Sequence, residues 1–116
     1  MPTNDPVRVR HILDAAHQAL AFLRGRSRAD LDQDAMLSLA LVRLLEIIGE
    51  AARGVSAATR ESHPGIAWSQ MAGMRDRLIH GYFDVNLDIV WETVNQDLPH
   101  LVAQLEQILP SLPSVS

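Results

Sequence analysis

Residues 74 to 84 read MRDRLIHGYFD and place Arg75, Asp76, Arg77, His80 and Tyr82 within eight positions. They hold two of the ten cations, one of the five histidines and the only tyrosine of the chain. An imidazole titrates near neutrality and can give or take a proton. A guanidinium stays charged and can hold two phosphate oxygens at once. Helical spacing puts Asp76 and His80 about one turn apart on a shared face, so Asp76 could orient the ring. Arg75 lies about 140° around the helix from His80, so the two converge only if the arginine bends or the partner comes from another chain. A two-fold dimer supplies such a partner. Taken alone, the same residues better suit exposed surface charges, with His80 as a cation at a helix C-terminus.

The element that must position them is a third helix, starting near Ala67, with Ala67, Met71, Met74 and Leu78 on its buried side. Gly81 suits the left-handed residue that ends it. Upstream, Asp5 and Pro6 offer an N-cap and first helical position, and apolar residues recur from Val9 to Leu23 at three- and four-residue steps until Gly25. GRSRAD reads as a turn, with Ser27 and Asp30 spaced as a capping box. A second helix spans about Asp32 to Arg53 and stops at Gly54. Its leucines and isoleucines cover most of its circumference, which predicts contact on more than one side and hence a second subunit. Arg43, Glu46, Glu50 and Arg53 form one stripe along it, either an exposed strip of ion pairs or the lining of a polar cleft. SAATRESHPGI reads as a short helix or loop ended by Pro64 and Gly65. Asp84 is a plausible N-cap for a fourth helix running to Leu109, with a kink expected at Pro99, and PSLPSVS reads as a loose tail.

The 116 residues fit a single domain, with a core over about 6–109 and a tail over 110–116. A hydrophobic fraction of 47% with only 4% aromatics suits packed helices, an all-α fold. There is no cysteine, no apolar signal core at the N-terminus, and the longest apolar stretch is interrupted by Arg43, Glu46 and Glu50. These features lead to the expectation of a soluble protein of the reducing cytoplasm with no membrane partner. The net charge of −4 argues against nonspecific coating of nucleic acid, yet every cation is arginine and five of them fall in residues 1 to 28. Asp84, Asp88 and Glu92 could bind a divalent ion, although acidic residues are also common in a helix's first turns. His11, His17, His63 and His100 have no ligand spacing, and Trp68 and Trp91 read as core anchors.

RDRLIHGY fits the R-x4-H-x-Y motif, and the chain resembles the HepT-like proteins, HEPN-domain toxins paired with minimal nucleotidyltransferase antitoxins. LEIIGEAA resembles the second-helix segment of that family, as does AW followed by MAGMRDRLIHGYFDVNLDIVWETV. The likeness covers about residues 6 to 109. It implies an antiparallel four-to-five-helix bundle, a homodimer with active sites at the subunit interface, and an endoribonuclease that needs no metal or other cofactor.

RNA supplies its own nucleophile in the 2′-hydroxyl, so cleavage needs a proton acceptor, positive charge at the phosphate and a proton for the leaving oxygen. On the resemblance, His80 is the proton-transfer residue and Arg75 the phosphate clamp, with Asp76, Arg77, Glu46, Glu50 and Arg43 in support. Arg77 is expected either to bind phosphate or to pair with an acidic neighbour. The tyrosine matching Tyr82 is where the partner nucleotidyltransferase, an MntA-like antitoxin, attaches AMP. The same modification here would place a bulky anion beside the site and silence it. The alternative is a noncatalytic helical dimer that binds nucleotide or serves as the partner subunit of a nucleotidyltransferase.

Overall fold

A computed structural model describes residues 4–80 and 84–113. The chain is mostly helical, and its longest elements are α1 (Asp5–Leu23) and α3 (Ala35–Arg53). These two pack against each other, and Val9, Ile12, Ala16, Leu41, Leu45 and Ile48 are fully buried in the shared core. Each deep aliphatic side chain contributes about 1.5–3 kcal/mol by leaving water.

The cap of α1 falls one residue earlier than expected. Asn4 accepts a hydrogen bond from the Val7 amide at 3.3 Å. Asp5 instead turns inward, only 4% exposed, and accepts from the Ser56 amide at 2.9 Å, the Ser56 hydroxyl at 2.6 Å and the Thr59 hydroxyl. A buried carboxylate persists only with such donors. The arrangement fastens the start of α1 to that of α4 (Ala57–Ser62), which Ser56 caps.

GRSRAD is likewise more than a turn. Its capping box opens α2 (Arg28–Gln33), with the Ser27 amide donating to Asp30 at 2.7 Å. The helix expected from about Asp32 starts at Ala35, because Asp34 ends α2 and caps α3 by accepting from the Leu37 amide at 3.1 Å.

Residues 67–80 differ most. The expected third helix breaks at Gly73 into α5 (Trp68–Ala72) and α6 (Met74–Leu78), and Ala67 is exposed rather than buried. It then stops at Leu78, before Gly81, because the chain turns extended: β1 (Ile79–His80) pairs antiparallel with β2 (Asp84–Val85), in the register Ile79 to Val85 and His80 to Asp84. Gly81 lies outside the described residues. Asp84, on β2, is not a helix cap. Asn86 has that role, accepting from the Ile89 amide at 3.2 Å at the start of α7 (Leu87–Glu92).

After α7 the helix widens into a π turn, Thr93–Asp97, before α8 (Leu98–Ile108). Pro99 lacks an amide and crowds the carbonyl four residues back, so the expected kink takes the form of this wider turn. A 3-10 turn, Leu109–Ser111, follows, and Leu112 is buried, so packing continues into the stretch read as a loose tail. No helix among the described residues is long and apolar enough to cross a membrane.

Candidate active site

Close approach between α3 and the α5–α6 pair creates the site. A Cβ at Gly49 would lie 2.8 Å from the Met71 carbonyl oxygen and 3.5 Å from the Met74 Cβ, so only glycine lets the elements meet at this distance. Beside the contact is a cleft of about 60 Å³ lined by Glu46, Gly49, Glu50 and Arg53 of α3, with Ala72 and Arg75. Arg53 spans it, its Nε donating to the Ala72 carbonyl at 3.0 Å. Arg43 lies outside the cleft but reaches Glu50 at 3.4 Å. Three residues of the polar stripe thus line a cleft, and the fourth forms an exposed ion pair. Such a pair contributes only ~0–1 kcal/mol to the fold. Two guanidinium groups and two carboxylates line this cleft, and among the described residues neither Arg53 nor Arg75 forms an ion pair.

Arg75 comes to the cleft because Met74 and Leu78 are buried and leave the residues between them outward. At about 100° per residue, Arg75, Asp76 and Arg77 fan apart. Arg75 lines the cleft against α3, Asp76 is exposed, and Arg77 lines a separate pocket against the π turn and α8. Arg77 forms no ion pair among the described residues, so the acidic partner considered for it is not engaged.

The expected helical relation between Asp76 and His80 does not exist. With α6 ending at Leu78, His80 sits on an extended strand, where side chains alternate in direction rather than advance by 100°. His80 is exposed and outside the cleft that Arg75 lines. The residue opposite it in register is Asp84, and the two side chains form no ion pair. Sequence reasoning missed this neighbour because Asp before a helical stretch reads as a cap. Tyr82 lies between the two strands in sequence and outside the described residues.

Residues 12–108 match the family model described as Ribonuclease HepT-like. The chain belongs to this family. It is similar to a "putative RNase" of Caldanaerobacter subterraneus subsp. tengcongensis, 43% identical over 87% of this chain and 90% of the relative. It is also similar to the "probable ribonuclease HepT" of Thermococcus cleftensis, 43% identical over 84% of this chain and 88% of the relative. A "putative RNase" of Methanocaldococcus jannaschii is 34% identical over 82% of this chain and 87% of that protein. No solved structure matches the chain. The resemblance read from RDRLIHGY therefore holds, and ribonuclease activity follows at the level of the HepT-like family.

Two further acidic residues of this HepT-like chain, Asp32 and Asp88, share a structural partner in Arg28. Asp88 accepts from Arg28 Nε at 2.8 Å, and Asp32 lies 3.1 Å from Arg28 Nη1, tying α2 to α7. The Asp88 hydrogen bond raises the Arg28 pKa above its ordinary value. Asp84 stands on β2, so Asp84, Asp88 and Glu92 do not form one helical series. Trp68 is buried and its indole donates to the His63 carbonyl at 3.0 Å, while Trp91 is half-buried against the core.

Proposed function

We propose that this chain is a metal-independent endoribonuclease toxin, acting as a homodimer on RNA and restrained by a minimal nucleotidyltransferase antitoxin. The carrying observation is the placement of Arg75: a cation on a short helix, presented to a polar cleft by a glycine-mediated contact, five residues before an exposed histidine. In this reading the guanidinium holds the scissile phosphate, whose charge grows in the transition state. His80 moves the proton between the 2′-hydroxyl and the leaving oxygen, a step worth ~10² to 10⁴-fold.

The dimer is supported by the surface of α3. Met36 and Leu39 are 83% and 68% exposed. At 100° per residue they share an arc of roughly 100° with Arg43, Glu46, Glu50 and Arg53. An apolar patch continuous with a polar cleft suits contact with a second copy. Seated there, the second copy would cover both side chains and could bring its His80 to the Arg75 that the first copy presents.

Silencing is by AMP transfer to Tyr82. Two residues after His80, an added nucleotide would place phosphate where RNA must bind.

Purified protein should cut RNA in EDTA, spare DNA, and leave cyclic phosphate ends. Intact RNA after incubation with a verified unmodified dimer would overturn the proposal and favour a noncatalytic binding module. Coexpression with the partner nucleotidyltransferase should add the mass of AMP to the wild type, and a Tyr82→Phe protein gaining the same mass would reject that site.

A further inference from the structure

On the flank of α5–α6 away from the Arg75 cleft lies a second, larger hollow of about 320 Å³. This is within the lower range of small-molecule sites. Its apolar floor comes from Met71, Met74, Leu98 and Leu101, all buried, and its polar groups include Arg77, Thr93, Gln96 and Asp97. Neither Arg77 nor Asp97 has an ion-pair partner among the described residues.

Two features set this hollow apart from an ordinary groove between helices. Thr93 is 1% exposed, and its hydroxyl has no hydrogen-bond partner among the described residues. A buried hydroxyl left unpaired is costly, and in a native fold it calls for an explanation such as a missing ligand atom or water. The second feature is the π turn Thr93–Asp97, which delivers Thr93, Gln96 and Asp97 to the same hollow. Single π turns inside helices recur at functional sites.

We propose that this hollow binds an unpaired nucleobase with its ribose phosphate. The methionine thioethers suit the face and edge of an aromatic ring. The Gln96 carboxamide and Thr93 hydroxyl each offer both donor and acceptor, as the edge of a base requires. Asp97 can accept from an exocyclic amine or a ribose hydroxyl, and Arg77 takes the phosphate. Unstacked bases held this way are the usual means of reading single-stranded RNA. The choice of a nucleobase over other planar ligands rests on the ribonuclease reading.

The test is binding, with cleavage kept as a separate readout. The four ribonucleoside monophosphates and a short single-stranded RNA made uncleavable by 2′-O-methyl groups are titrated into the full chain, following the methyl resonances of Met71, Met74, Leu98 and Leu101. At least one probe should shift these methyls saturably. Binding of a monophosphate identifies a free-nucleotide site, and binding of the oligonucleotide alone identifies a subsite for the RNA strand. Thr93→Val has nearly the same shape and removes an unpaired hydroxyl, so it should fold with an unchanged or higher Tm while weakening binding about fivefold. Gln96→Ala, on the exposed side of the π turn, should also weaken it. Absence of methyl shifts with every probe, or full affinity in both variants, overturns the proposal. Either result leaves RNA cleavage by the wild type unaffected, so failure of the pocket and failure of the ribonuclease reading are distinguishable.

Discussion

The helices α1 and α3 run unbroken for 19 residues each, whereas the motif stretch is cut into helices of 5 residues and strands of 2. In each long helix nine of the 19 residues are buried at helical spacing, and the rest face outward or sit half-buried. In the broken stretch Arg75, Arg77 and His80 point to different surroundings although only five residues separate the first from the last. Continuous helices supply the burial that stabilises the fold. The interruptions at Gly73 and Ile79 spread Arg75, Arg77 and His80 around its rim.

This contrast predicts that substitutions at the rim change reaction rate and those in the long helices change stability. The largest effect is expected from Arg75→Ala and His80→Ala, each lowering RNA cleavage by roughly 10²–10⁴-fold. Both residues are exposed, so thermal unfolding should stay close to wild type. A Tm lowered as far as that of a core variant would erase the distinction. Next is Leu45→Ala, which empties part of the α1–α3 core and should cost about 2–5 kcal/mol in chemical denaturation, with cleavage per folded molecule preserved.

Gly49→Ala lies where the two regions meet. Its Cβ must push against the Met71 carbonyl, so a loss of about 1–3 kcal/mol is expected, together with a lower cleavage rate per folded molecule as α6 and Arg75 shift. A variant that loses stability alone would show that the close approach does not set the cleft. The smallest effect is expected from Glu106→Gln. Its partner His17 lies at 3.2 Å across α1 and α8, both side chains are more than half exposed, and the change should be within ~1 kcal/mol by denaturant titration.

Much of this division is legible in the residues. The periodic apolar positions of α1 and α3, the capping box at Ser27 and the polar stripe along α3 all follow from local rules and appear as expected. What local rules miss depends on contacts between distant segments. Asp5 reads as a cap, but its carboxylate is claimed by Ser56 and Thr59, more than fifty residues away. The motif reads as one helix because Gly73 alone does not announce a break and Ile79 is extended by pairing with Val85. For the same reason Asp76 looked like the partner of His80, when the ladder sets Asp84 opposite it. The pocket behind Arg77 forms where α5, α6 and the π turn converge, and no spacing rule joins residues 70 and 96.

Mixing tests the central claim most directly. Arg75→Ala and His80→Ala proteins, each inactive alone, are combined, mixed dimers are verified by native mass spectrometry, and cleavage of single-stranded RNA is measured in EDTA. If an arginine of one copy and a histidine of the other share a scissile phosphate, the mixed dimer holds one intact pair and cleavage returns. Verified mixed dimers as inactive as either parent would contradict that arrangement.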